Sequence, residues 1–234
     1  MSLRNSPRVH PILCYVTDRR ELRPPSPSAP HEPLLRMVES AAAAGIDWIQ
    51  IREKDLSGRD YTTLTRDILR CASKSSASGG RTPRILVNDR LDVALAERAG
   101  GVHLSENSLP VREAKRLVES QTYSADFLVG VSCHSLDAAM SAASHGADYL
   151  IFGPVFSTPS KAVYGPPQGR AHLAEVCHST SIPVIAIGGI TLDNAASCLT
   201  AGAAGIAAMR LFQDATDIAA VVEALRSECQ ANFL

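Results

Sequence analysis

The chain has 234 residues, 45% of them hydrophobic and 20% charged, with a formal net charge of -1. That length and apolar content suffice for a sizeable packed core, and the near-neutral balance supplies no field to gather nucleic acid or an anionic membrane surface. Aromatic residues make up only 5%, too few for a base-stacking platform, and no apolar stretch approaches the ~20 residues of a membrane span.

In chain order, the opening "MSLRNSPRVHP" has no apolar signal core. The first β-rich run, "ILCYVTD" (12–18), leads into a proline-rich segment, "RRELRPPSPSAPHEP" (19–33), and then the amphipathic "LLRMVESAAAAG". "WIQIRE" (48–53) precedes "YTTLTRDILRCASK", and "RILVND" (84–89) precedes "LDVALAERAG". "GVHLS" (101–105) is followed by "VREAKRLVES", and "FLVGVSC" (127–133) by "LDAAMSAASHG". "YLIFGPVF" (149–156) empties into a long polar loop, 157–170. "PVIAIG" (183–188) precedes "LDNAASCLTAG", and "GIAAMR" (205–210) precedes "ATDIAAVVEALRSE". Near-continuous apolar runs are the mark of parallel strands buried on both faces. Several of the helical stretches end in glycine, the usual helix stop, and Ser135 and Thr191 stand where N-caps belong.

Eight strand–helix units in this length predict an α/β fold, a single (β/α)8 TIM barrel over 1–234. The competing doubly wound sheet lacks support, because no GxGxxG follows the first strand. In a barrel the segments 19–33 and 157–170 both follow strands, so both fall on the C-terminal, catalytic face. The flexible "KSSASGGRTPR" (74–84) precedes a strand and falls on the opposite face. The six cysteines, Cys14, Cys71, Cys133, Cys177, Cys198 and Cys229, include no CxxC pair. They read as reduced thiols of a cytoplasmic protein rather than a disulfide framework or zinc site.

Polar residues collect at the strand ends. They are Thr17-Asp18, then Gln50, Arg52 and Lys54 in alternation, then Asn88-Asp89-Arg90, Ser132-Cys133-His134, Thr158, Ser160 and Lys161, and Gly188-Gly189. Alternation turns Gln50, Arg52 and Lys54 to one side. Converging on one barrel mouth, the set makes a polyanion pocket. Arg52, Lys54 and Lys161 are its cations, Asp89 a metal carboxylate, and the glycine amides lie near helix starts. His103, inside strand four, reads as a packed or hydrogen-bonded barrel residue, and Trp48 as core.

The stretches "IQIREKD", "ILVNDRLDVALAERAGGVHL", "VGVSCHSLDAA", "GADYLIFGPVFSTPSK", "IPVIAIGGI" and "AGAAGIAAM" together resemble the thiamine phosphate synthase and thiazole tautomerase family over nearly the whole chain. The resemblance implies a barrel transferase of thiamine biosynthesis. It condenses an aminopyrimidine methyl diphosphate with a thiazole phosphate and releases pyrophosphate. It implies that Gln50, Arg52, Lys54 and Asn88 hold the pyrimidine and its diphosphate. Asp89 would bind Mg²⁺, Lys161 the pyrophosphate, and Thr158, Ser160 and the Gly188–Gly189 backbone the thiazole phosphate. Ser132 joins the substrate-binding set. The implied partners are these small phosphorylated molecules; assembly as a homo-oligomer is left open.

Two departures stand out. Where the synthase pattern carries a second magnesium carboxylate, this chain has Ser108 in "SENSLP", so the Mg²⁺ site is weakened. Where the pattern has a small serine after strand eight, this chain has Arg210, which grips phosphate, fills the pocket or turns outward to a surface pair. The tautomerase branch is the alternative, with His134 as its acid–base residue. A non-catalytic sensor of phosphorylated metabolites is an alternative of another class.

Overall fold

The structure is a computed structural model that describes residues 10–22, 30–76, 81–121, 126–158 and 166–231. Eight parallel strands close into a barrel in sequence order. They are β1 (Ile12–Val16), β2 (Trp48–Ile51), β3 (Arg84–Asn88), β4 (Gly101–Leu104), β5 (Leu128–Cys133), β6 (Tyr149–Phe152), β7 (Val184–Ile187) and β8 (Gly205–Ala208). The seam is the pairing of β1 with β8, where Ile12 lies opposite Gly205. The helices are α1 (Glu32–Ala43), α2 (Gly58–Ser76), α3 (Leu91–Ala96), α4 (Val111–Glu119), α5 (Leu136–Ser144), α6 (Gly169–Ser179), α7 (Leu192–Thr200), a short α8 (Arg210–Gln213) and α9 (Ile218–Ala231).

The two-residue period of each strand splits the apolar residues between two cores. On β1, Leu13 and Tyr15 join the layer between barrel and helices, whereas Ile12, Cys14 and Val16 fill the barrel interior. The interior also holds Trp48 and Tyr149, whose ring centroids are 4.7 Å apart. Among the described residues no helix is long and apolar enough to cross a membrane.

The strands are shorter than their apolar runs. β2 stops at Ile51 and β6 at Phe152, so the polar residues after them lie in loops. The segment expected as loop 19–33 begins with a 3-10 turn at Arg19–Glu21 and gives way to α1 at Glu32. The expected loop 157–170 gives way to α6 at Gly169, a helix the apolar pattern did not announce. Similarly, α3 ends before its expected glycine, with Arg98 at φ 53 making the left-handed turn.

Candidate active site

At the C-terminal ends of the strands the inward-facing register turns polar. Gln50 and Asn88 come two residues after the interior Trp48 and Leu86, and they bond sideways across the mouth. Gln50 Nε2 donates to Asn88 Oδ1 at 2.8 Å, and Asn88 Nδ2 donates to Asp89 Oδ2 at 2.8 Å. Gln50 is 2% exposed, and its Oε1 has no hydrogen-bond donor among the described residues. Ser132 and His103 continue the polar layer, with Ser132 Oγ 2.8 Å from His103 Nε2.

Asp89 adopts φ 57, a left-handed conformation that costs a non-glycine residue about 1–2 kcal/mol. Its hydrogen bonds hold it there. Ser105 donates its backbone N–H to Oδ1 at 2.7 Å and its hydroxyl to Oδ2 at 2.5 Å. Burial pushes the carboxyl pKa up, but hydrogen bonds from Ser105 and from the Ser108 side chain outweigh burial and leave it below the ordinary carboxylate range. Ser108, where the synthase pattern carries a second magnesium carboxylate, adds to that lowering but no anionic oxygen.

These residues fit a magnesium ion held by one protein carboxylate. Asp89 is ionised and lines an open depression of about 290 Å³ together with Lys54, Tyr61, Asn88 and Arg90. A carboxylate offers about four lone-pair sites. Ser105 N–H, Ser105 O–H and Asn88 take three of them, which leaves one for an arriving cation.

The strand-two alternation needs correction at Lys54. Because β2 ends at Ile51, Lys54 sits exposed in the turn beyond it, placed by the loop and not by strand register. Arg52 also lies beyond β2; its N–H donates to Thr17 Oγ1 at 3.0 Å, and its charge contributes to lowering the pKa of His103.

On the other side of the mouth, the exits of β6 and β7 touch. Phe156 N–H donates to Gly188 O at 3.0 Å. Gly189 has φ 64, and a Cβ there would stand 2.5 Å from Ser157 O. Arg210 reaches across from the exit of β8, donating Nη2 to Thr158 Oγ1 at 3.2 Å. It is thus committed to the β6 loop and makes no outward ion pair among the described residues. Gln213 docks α8 by donating Nε2 to Asp18 O at 2.8 Å and accepting from Tyr15 Oη at 3.0 Å. Thr158, Gly189 and Arg210 are brought together; Ser160 and Lys161 lie outside the described residues. His134 is exposed, with Nδ1 2.5 Å from Gly153 O, a contact that joins the exits of β5 and β6.

Sequence reasoning missed Ser105, Arg19 and Glu53. Glu53 is 2% exposed and accepts from Thr17 Oγ1 at 2.6 Å. Its one available signal was an acid wedged between two cations in "IREKD".

A family model described as thiamine monophosphate synthase matches residues 13–212. A thiamine-phosphate synthase of Methanoculleus marisnigri is 42% identical over 201 residues, 86% of this chain and 89% of its own length. That of Chlorobium phaeovibrioides is 36% identical over 224 residues, covering 96% and 97%. Among solved structures, a thiamine phosphate pyrophosphorylase from Pyrococcus furiosus superposes with a TM-score of 0.76 at 32% identity, over 94% of this chain and 95% of that one. With a matching family model across most of its length and relatives this similar over most of theirs, the chain belongs to the thiamine monophosphate synthase family.

Proposed function

We propose that this chain acts as a thiamine phosphate synthase. It joins an aminopyrimidine methyl diphosphate to a thiazole phosphate and releases pyrophosphate. The observation that carries the site assignment is the buried, unpaired Oε1 of Gln50. A buried acceptor without a donor costs about 1–3 kcal/mol. The exocyclic amino group of the pyrimidine is a donor that would recover this cost.

The other roles follow from charge. Arg52, Lys54 and Lys161 hold the diphosphate. Thr158, Ser160, Arg210 and the Gly188–Gly189 backbone hold the thiazole phosphate, and Ser132 contacts the pyrimidine. Asp89 is the protein ligand for Mg²⁺, which when bound neutralises charge on the phosphate oxygens. The carbon–oxygen bond breaks with its electron pair leaving on pyrophosphate, and the thiazole nitrogen lone pair forms the new carbon–nitrogen bond. Cations already aimed at the leaving group stabilise that charge as it develops. No side-chain base is required in this step, so His134 is assigned to positioning through Gly153.

The test is turnover by the purified protein with both substrates, with and without Mg²⁺. Equal release of pyrophosphate and thiamine phosphate, dependent on Mg²⁺, is expected. Proton exchange on a thiazole phosphate carboxylate without pyrophosphate release would assign the tautomerase reaction instead. Ligand binding with neither reaction would leave a sensor.

A further inference from the structure

Between the two cations assigned to the diphosphate lies an acid that the condensation does not use. Glu53 is almost fully buried, and among the described residues the exit of β1 supplies every donor to its carboxylate. Thr17 Oγ1 donates to Oε1 at 2.6 Å, Arg19 N–H reaches both oxygens at 3.1 Å, and Arg19 Nη1 donates to Oε2 at 3.1 Å. The same guanidinium grips Asp55, with Nη1 at 2.7 Å and Nη2 at 2.8 Å. Thr17 Oγ1 also accepts the N–H of Arg52 at 3.0 Å. The segment 52–55 is therefore fastened to residues 17–19 through Arg52, Glu53 and Asp55, beyond the end of β2 where no ladder bond could hold it.

This arrangement has an electrostatic consequence. Lys54 has an acid on each side in the chain, yet it forms no ion pair among the described residues, because Arg19 takes both. Lys54 instead lines the depression beside Asn88 and Asp89. Burying an ion pair costs desolvation energy that an apolar pair would avoid, so stability alone is a weak reason for the partly buried Arg19–Glu53 pair. We propose that Arg19 is a positioning residue for diphosphate binding. It neutralises Glu53 and Asp55, so that Arg52 and Lys54 remain available to the diphosphate. The proposal rests on the reading of Arg52 and Lys54 as diphosphate cations.

Without Arg19, Glu53 is a buried carboxylate lacking its counter-ion, and Lys54 is the cation next to it in the chain. Lys54 turns to Glu53 and leaves the anion site. Removing the Glu53 charge as well releases Lys54 again, since Asp55 is exposed and competes weakly.

The experiment measures binding of inorganic pyrophosphate by calorimetry, both Michaelis constants and the melting temperature. The variants are Arg19→Met, Arg19→Lys and the double Arg19→Met/Glu53→Gln, with Arg52→Ala and Lys54→Ala as references. Arg19→Met is expected to weaken pyrophosphate binding and raise KM for the pyrimidine diphosphate by roughly 10- to 100-fold, with KM for the thiazole phosphate changing less than about twofold. The double variant is expected to recover most of that loss. Should Arg19→Met fail to fold, Arg19→Lys carries the same comparison with a smaller change. A lower melting temperature with unchanged pyrophosphate binding would overturn the proposal. So would an equal rise in both Michaelis constants, or a double variant no better than the single one. If the two reference variants bind pyrophosphate normally, the cation reading itself fails, and the proposal with it.

Discussion

His103 shows how burial sets the state of a single side chain. It is 1% exposed, with Nδ1 3.1 Å from Tyr149 Oη and Nε2 2.8 Å from Ser132 Oγ. The Tyr149 hydroxyl has no other partner among the described residues, so it donates to Nδ1. The Nε2–H then donates to Ser132, leaving the serine hydroxyl hydrogen for a ligand. Burial drives the His103 pKa down to about 4, with Asp89 opposing and Arg52 reinforcing the shift. Below the ordinary value of 6.5 the unfolded chain protonates this histidine before the folded one does. Stability therefore falls as pH drops toward about 4, by at most ~1.4 kcal/mol per pH unit from this group. Urea denaturation is expected to give a lower midpoint at about pH 5 than at about pH 7, and His103→Gln should flatten that difference. Equal slopes in both proteins would assign the effect to other groups. At Ser108 the expectation concerns metal. The parent should bind Mg²⁺ weakly until diphosphate supplies oxygens, because Asp89 is a lone carboxylate that Asn88 and Ser105 already engage. Ser108→Asp adds a hard anionic oxygen and should tighten free-enzyme Mg²⁺ binding in calorimetry. Strong Mg²⁺ binding to the unliganded parent would contradict this account.

At the scale of elements, local capping was readable and loop contact was not. Ser135 caps α5 by accepting from Ala138 N–H at 3.2 Å, and α7 opens with Thr191 N–H donating to Asn194 Oδ1 at 2.9 Å. Both follow from residue types at fixed offsets. The joining of the β6 and β7 exits depends instead on the missing side chain at Gly189, where a Cβ would also approach Phe156 Cβ to 2.8 Å. Gly189→Ala meets both the positive φ and this contact, so it should push residues 156–158 outward. The predicted readout is a raised KM for the thiazole phosphate with little change for the pyrimidine diphosphate. An unchanged thiazole KM would show that this junction tolerates displacement without affecting the phosphate site.

At the scale of the whole molecule, the stability face closes the barrel by distant contacts. Arg226 on α9 donates to Pro11 O at 2.5 Å, Gly45 O at 3.1 Å and Asp47 Oδ2 at 2.7 Å. Asp47 also accepts Leu13 N–H at 2.8 Å, so one carboxylate links α9, β1 and β2. Asp148 repeats the device on the opposite side, accepting Val129 N–H at 2.7 Å and pairing with Lys115. Arg226→Ala should cost roughly 1–3 kcal/mol by leaving these acceptors unpaired. It should lower the melting temperature by about 2–4 °C for each kcal/mol lost. Both Michaelis constants should stay at the parent values, because the contact lies at the end of the barrel away from the mouth.

The periodic alternation of apolar runs and helical stretches determined the barrel, because the periods of two and 3.6 residues are properties of the local chain. The same periodicity put Gln50, Asn88 and Ser132 at strand ends, and the family motifs named the positions proposed to bind phosphate. Only the tertiary structure decided where the strands stop, and so that Lys54 is held by a loop. It alone showed that Arg19 takes both acids beside Lys54, that Ser105 donates twice to Asp89, and that Arg210 stands on Thr158. Each of those outcomes is a competition among charged and polar groups far apart in the chain. Distance and desolvation settle such a competition, and residue order carries neither.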